Sequence, residues 1–254
     1  MIILAGGEKG GCCKSTTTVN MSGEFAYLGY KVAILDADTK TTAKNWIIAR
    51  DALSSYINNN EIVFPFDQET LNEIPKAVMK ALKVNGLTKI TGRCGSGDSI
   101  IDTILSLDES HDILIIDVGG GDTEEFHMGL GLADFCICPL KPSIFDMETV
   151  PKLERNLKLA KARGSELVIR TLISDASTSV NSTLTRRFKE KLKDYEHLSN
   201  VLKTTTKNRD AYKHSVEWGL SVREWSDNKA KGEMSAIVHE IISIFNLKPS
   251  EKLS

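Results

Sequence analysis

Ile2-Ile3-Leu4-Ala5 runs through Gly6 into Gly7-Glu8-Lys9-Gly10-Gly11-Cys12-Cys13-Lys14-Ser15-Thr16, and this opening stretch decides how the rest of the chain is read. Four apolar residues followed by a glycine-bearing loop predict a short buried strand, and Ser15-Thr16-Thr17 predicts the first turn of a helix. A loop of this kind turns successive backbone N–H groups toward one point. The helix N-terminus adds partial positive charge and Lys14 a full one, so the construction favours a polyphosphate. Ser15 follows the lysine, where a hydroxyl ligates Mg²⁺.

A second lysine, Lys9, stands five residues before Lys14, and Cys13 occupies a place where phosphate loops of this type usually carry glycine. The arrangement Lys9-Gly10-Gly11-x-x-Lys14-Ser15-Thr16 resembles the deviant Walker A ATPases, the ParA/MinD family. It is closest to the plasmid and chromosome partition ATPases of the ParA type that lack an N-terminal helix-turn-helix domain. The resemblance implies that Lys9, Gly10, Gly11, Cys12, Cys13, Lys14, Ser15 and Thr16 bind ATP. It also implies that Lys9 reaches across a homodimer interface to the partner's nucleotide. Glycine serves in such loops because it tolerates positive φ and lets the backbone approach the phosphates. Cys13 fits with a negative φ and its Cβ turned away from the nucleotide; otherwise it weakens binding. Its place beside Lys14 and a helix N-terminus also predicts a depressed thiol pKa. Vicinal Cys12 and Cys13 are too close to bridge.

Length and composition agree with one domain over residues 1–254. The chain has 254 residues, 41% of them hydrophobic, which is ample for a full core. With 32 basic and 34 acidic residues there is no global field that demands nucleic acid, so DNA binding must come from a local patch. Five scattered cysteines fit a reducing cytosol, and Cys136 and Cys138, two apart on a strand, read as small buried apolar residues. The chain opens directly on its first strand, leaving no room for a signal peptide, and no apolar run approaches a membrane span. These features predict a cytoplasmic protein; the resemblance adds association with a prokaryotic nucleoid.

Short apolar runs alternate with helical patterns, which predicts an α/β fold with a mostly parallel sheet and helices on both faces, the three-layer P-loop NTPase fold. Strands are expected near Ile2–Ala5, Lys31–Leu35, Glu61–Phe64, Ile113–Asp117, Phe135–Pro139, Leu167–Ile173 and Leu198–Leu202. Helices are expected over Ser15–Leu28, Thr41–Ser54, Gln68–Val84, Asp122–Leu132, Ser143–Ala162, Ser182–Tyr195, Arg209–Trp218 and Lys229–Phe245. Gly29 and Gly164 fall where helix C-caps belong, and Thr88–Ser99, with three glycines, reads as the one long loop.

The second strand ends Asp36-Ala37-Asp38, and carboxylates at the C-terminal end of a parallel strand lie where such sheets bind ligands. By resemblance Asp36 sits near the Mg²⁺ shell and Asp38 in switch I orients the attacking water; a capping role for Asp38 at the next helix is compatible with both. Ile113-Leu114-Ile115-Ile116-Asp117 is an apolar strand ending in an acid, the Walker B pattern, with Asp117 expected to hold the Mg²⁺ shell through water. Gly119, Gly120 and Gly121 then form switch II, departing from the Asp-Thr-Pro-Pro-Gly commoner in the family. They equally suit a tight turn with Asp122 as N-cap. Further on, Pro142-Ser143-x-x-Asp146, Arg209-x-x-Tyr212-x-x-Ser215 and Gly219-x-x-Val222-x-Glu224 extend the resemblance along nearly the whole chain.

Arg186, Arg187, Lys189, Lys191 and Lys193 form a basic helix that neutralises phosphates without reading sequence, although Glu190 and Asp194 interleave with them. The expected protein is therefore a ParA-like ATPase that dimerises on Mg-ATP, with Lys9, Lys14 and Asp38 catalytic and Ser15, Asp36 and Asp117 at the metal. It binds nonspecific DNA, hydrolyses ATP slowly with stimulation by a ParB-like centromere-binding or adaptor protein, and serves DNA (plasmid) partition. Two alternatives are a non-cycling nucleotide-binding scaffold with a degenerate loop and a MinD-like membrane-surface switch. The second needs an amphipathic basic tail, whereas Met234, Ile237, Val238, Ile241, Ile242 and Phe245 read as a core stripe.

Overall fold

The computed structural model describes residues 1–38, 42–59, 78–79, 82, 87–95, 97–179 and 182–250. Among them β1 (Ile2–Ala5) leads into α1 (Lys14–Tyr27), β2 (Val32–Ala37), α2 (Thr42–Asn59), β3 (Ile90–Cys94), α3 (Ile100–Ser110) and β4 (Ile113–Val118). There follow α4 (Glu124–Leu132), β5 (Phe135–Leu140), α5 (Ile144–Met147), α6 (Val150–Ala162), β6 (Val168–Ile173), α7 (Thr183–Leu192), α8 (Asp210–Glu217) and α9 (Asn228–Phe245). The six strands are all parallel, in the order β3-β2-β4-β1-β5-β6. The chain leaves β1 toward one side of the sheet and later returns to fill the other. The carboxyl end of β1 therefore lies at the switch point where such sheets bind ligands.

Each central strand is apolar on both faces because both are covered. In β1, Ile2 and Leu4 join the core beneath α3, α4, α6 and α7, while Ile3 and Ala5 join the opposite core with α1, α8 and α9. In β4, Leu114, Ile116 and Val118 take the first side and Ile113 and Ile115 the second. This alternation makes the three layers, since strand side chains change face at every residue. The stripe of α9 behaves as read: Met234, Ile237, Val238 and Ile241 are buried in the second core, with Ile242 and Phe245 packed against it. Among the described residues no helix is long and apolar enough to cross a membrane.

Several boundaries follow from local chemistry. Gly29 and Gly164 have φ +94 and +92 just past α1 and α6, as C-cap glycines do. Ser182 caps α7 and Asp227 caps α9 through their side chains. At α4 the cap is Thr123, which accepts from Phe126 N, and not Asp122.

Three expectations are corrected. Thr88–Ser99 is not a long loop: it contains edge strand β3, paired with β2 along its length. Its Gly92 is a packing requirement, since a Cβ there would overlap the side chain of Ile47 on α2. Leu198–Leu202 is not a strand but meets β6 at one isolated bridge, Thr171 to Val201. The N–H groups of His197 and Leu198 are taken by the carboxylate of Glu154 and cannot enter a ladder. Ser143–Ala162 is two helices, because Ser143 and Asp146 close a tight capped turn and Pro151 starts α6 afresh. The expected strand Glu61–Phe64 and most of the expected helix Gln68–Val84 lie outside the described residues.

Candidate active site

Cys13 stands at the N-cap of α1 with no side-chain cap, so the first N–H groups of the helix remain open for an anion. Lys14 is only 6% exposed. Its Nζ donates to Lys9 O at 2.9 Å and contacts Cys12 Sγ at 3.7 Å. An ammonium buried against one carbonyl and a thiol sits in a setting that phosphate oxygens would suit. Cys12 is buried, its thiol pointing back to Lys9 O at 3.1 Å.

Cys13 itself has φ +74, the left-handed conformation that glycine tolerates. The negative φ that would suit a cysteine is not adopted. The expectation of a depressed thiol pKa is also corrected: burial pushes the Cys13 thiol up to about 11, against a smaller opposing pull from Lys141.

The loop opens into a cavity of about 460 Å³ lined by Gly10, Gly11 and Cys13 through Thr17 on one side and by Asp38 and Gly120 on another. A second wall comes from Lys141, Asp175, Thr206, Arg209, Tyr212 and Met234. The sequence gives only part of this wall: Arg209 and Tyr212 belong to a recognisable spacing, whereas Lys141 and Asp175 carry no local signal. Lys141 Nζ pairs with Asp175 at 2.9 Å, and Asp175 holds φ +53. Arg209 is held by Glu233 Oε1 at 2.7 Å, and the Tyr212 hydroxyl donates toward the other oxygen of Glu233. Burial and that carboxylate raise the Tyr212 pKa, so the hydroxyl stays protonated.

The three predicted carboxylates meet at the strand ends. Asp36 and Asp117 are register partners on β2 and β4. Asp36 accepts from Asp38 N at 2.9 Å and Lys44 N at 2.6 Å, which fixes the turn out of β2. Asp117 is fully buried, accepts from Thr18 Oγ1 at 3.5 Å through Oδ1, and has no hydrogen-bond partner at Oδ2. Burial pushes its carboxyl up to about 7; the Ser15 hydroxyl and Lys14 favour the charged form, and Asp36 and Asp38 oppose it. An orphaned carboxylate oxygen beside two further acids and a serine hydroxyl is a donor set of hard oxygens with excess negative charge. Mg²⁺ fits it.

The turn Gly119–Gly121, expected as switch II, lies against the loop. A Cβ on Gly120 would stand 2.5 Å from Gly10 N, and one on Gly119 would stand 3.1 Å from Asp38 Oδ1. Gly121 has φ +117. Lys9 is outside the cavity lining. Its Nζ is 3.7 Å from Asp146 and 5.3 Å from the centre of the Phe145 ring, with 42% of the side chain exposed. Arg186, Arg187, Lys191 and Lys193 are exposed on or just after α7, and Lys189 reaches Thr205 Oγ1 at 3.5 Å. They lie apart from the cavity, since none lines it, whereas the neighbouring bases Lys207, Arg209 and Lys213 do.

A parallel sheet carrying a two-lysine loop after β1, an acid-tipped strand β4 and a glycine-rich turn beyond it fits a P-loop ATPase of the ParA/MinD type. The chain belongs to the MipZ ATPase family, whose model matches residues 1–209. It is similar to an uncharacterized ATP-binding protein of Methanocaldococcus jannaschii, with 25% identity over 181 residues, 70% of this chain and 66% of that relative's length. Two solved structures share the fold. One is the MinC:MinD cell division complex of Aquifex aeolicus, at 17% identity and TM-score 0.66 over 95% of each chain. The other is a putative plasmid partition protein of Borrelia burgdorferi bound to AMPPNP, at 14% identity and TM-score 0.58 over 96% of this chain and 98% of that one.

Proposed function

We propose that the chain is an ATP-driven dimer switch serving DNA partition: it binds Mg-ATP in the cavity, pairs face to face with a second copy, holds DNA without sequence preference, and lets go after hydrolysis. The observation that carries this is the division of labour between two lysines of one loop. Lys14 is buried and lines the site, while Lys9 stands outside the cavity beside Phe145, which is 65% exposed. A cation outside its own cavity, held at the surface by Asp146, supports a role at a second copy's nucleotide. The two solved structures of this fold, a cell division complex and a putative plasmid partition protein, support a switch of that general kind.

In this reading the N–H groups of residues 10–16 and Lys14 hold the phosphates, and Asp38 orients the attacking water. Ser15 and Asp117, with Asp36 behind them, would hold Mg²⁺, which neutralises charge on the terminal phosphates. Gly119–Gly121 carries an amide toward the third phosphate. Asp175, Thr206, Tyr212 and Met234 form the wall for the rest of the nucleotide. The exposed bases of α7 supply the salt-dependent attraction to DNA. Turnover is slow alone and is raised by an adaptor protein.

The test is a pair of variants. Lys14→Ala abolishes nucleotide binding, whereas Asp38→Ala keeps binding ATP and loses turnover; unchanged hydrolysis in both sinks the assignment. Cys13 favours a second reading, since its left-handed φ strains the loop. A scaffold that binds nucleotide without cycling would show wild-type binding and no adaptor-stimulated turnover.

A further inference from the structure

Glu8, the residue before Lys9, has its carboxylate almost wholly buried against α6. Oε1 accepts from Asn156 Nδ2 at 2.6 Å and Oε2 pairs with Lys152 Nζ at 2.9 Å. The same Asn156 amide donates to Asp122 Oδ1 at 3.0 Å, and Lys152 Nζ lies 3.8 Å from Asp122 Oδ2. Asp122 directly follows the switch II glycines. Its Oδ1 also meets His127 Nε2 of α4 at 2.6 Å.

One nitrogen therefore bridges two carboxylates from separate segments, the start of the phosphate loop and the end of switch II. Two like charges drawn to a single donor repel unless something compensates them, and α6 supplies the amide and the ammonium that do so. α6 is a firm support: Val150, Leu153 and Leu157 are buried in the core and Asn156 is 2% exposed. On the front of the loop the backbones also touch, because a Cβ at Gly120 would stand 2.7 Å from the Lys9 carbonyl carbon. Loop and switch are thus in contact on one side and tied through α6 on the other.

On the reading that the cavity holds Mg-ATP, we propose that Asn156 and Lys152 are positioning residues that keep the phosphate loop and switch II in one register and pass the nucleotide state to α4 and α6 through Glu8 and Asp122. A shift of Gly119–Gly121 toward the third phosphate carries Asp122 with it and loads the Asn156 bridge. The same bridge holds Glu8, and so sets the start of Lys9.

The experiment uses the full chain and three variants: Asn156→Asp, Lys152→Met, and Asn156→Asp combined with Glu8→Gln. Hydrogen exchange of residues 6–10 and 118–123 is followed without nucleotide, and ATP hydrolysis with Mg²⁺ is measured alongside. Asn156→Asp puts three carboxylates together, so exchange rises in both segments. Its kcat falls about tenfold or more, as misplacement remote from the chemistry does, while KM for ATP stays within about twofold. Adding Glu8→Gln restores part of kcat and of the protection of residues 6–10, because the amide–carboxylate bond to residue 8 re-forms with its ends exchanged, while Asp122 still faces a carboxylate at position 156. Lys152→Met, at a side chain 46% exposed, reports the same changes more weakly and covers the case in which Asn156→Asp fails to fold. A rise in exchange confined to α6, or kcat and KM moving together without rescue, overturns the proposal. Wild-type protein that neither binds nor hydrolyses ATP removes the ATP reading instead. The exchange data, taken without nucleotide, still decide whether Asn156 ties the two segments.

Discussion

Cys13 carries the tension of the site. Its position was legible from the spacing to Lys14, but its backbone conformation was not, because the turn around it sets φ and a spacing does not report that. A non-glycine residue at φ +74 stores about 1–2 kcal/mol of left-handed strain. Glycine would relieve it, less about 0.5–1 kcal/mol for its greater freedom in the unfolded chain. Cys13→Gly is therefore expected to stabilise the protein by roughly 1 kcal/mol, seen as a higher urea midpoint at unchanged slope. A lower midpoint would mean that the cysteine makes a compensating contact. The direction of the thiol shift was misread for a related reason. Proximity to a lysine and a helix N-terminus argues for a thiolate, yet burial is the larger effect here.

At the scale of elements, the Gly219-x-x-Val222-x-Glu224 spacing has a structural explanation. Arg50 on α2 donates to Glu224 Oε1 at 2.6 Å, to Glu224 Oε2 and Gly219 O at 3.0 Å, and to Thr88 Oγ1 at 2.7 Å. Its guanidinium also packs over Trp46, 4.9 Å from the ring centre. Both partners are buried, so removing one strands the other, and Arg50→Ala is expected to cost about 3–5 kcal/mol. Burial alone would raise the Glu224 pKa; Arg50 and the N–H groups of Ser221 and Thr88 outweigh it and hold the carboxyl below its ordinary value of 4.5. A depressed carboxylate contributes stability above its unfolded pKa and loses it as pH falls through the folded one. The stability gap between wild type and Glu224→Gln is therefore full above pH 4.5 and narrows in acid; a gap independent of pH would contradict the pairing. Elements were read correctly where period and caps agree, as in β1, β4 and α9. They were misread where one glycine serves packing, as Gly92 does in β3, or where a proline restarts a helix, as Pro151 does in α6.

Across the whole molecule, the phosphate end of the site was legible because its residues are contiguous or sit at strand ends. The opposite wall was not, since Lys141, Asp175, Thr206 and Met234 come from four separate stretches that only the fold brings together. The proposed DNA surface belongs to this scale too. Arg186 and Arg187 are solvated on α7, and reversing both to Glu should weaken DNA binding and reduce the slope of log affinity against log salt by about 2. An unchanged slope would contradict the proposal that α7 binds DNA. Whether the two-lysine loop makes a switch between one copy and two is tested most directly by the solution mass of the purified chain without nucleotide, with ADP, and with ATP and Mg²⁺. The account predicts a doubled mass with ATP and Mg²⁺ alone, lost in Lys9→Ala. A mass that ignores nucleotide, in protein shown to bind ATP, would contradict it.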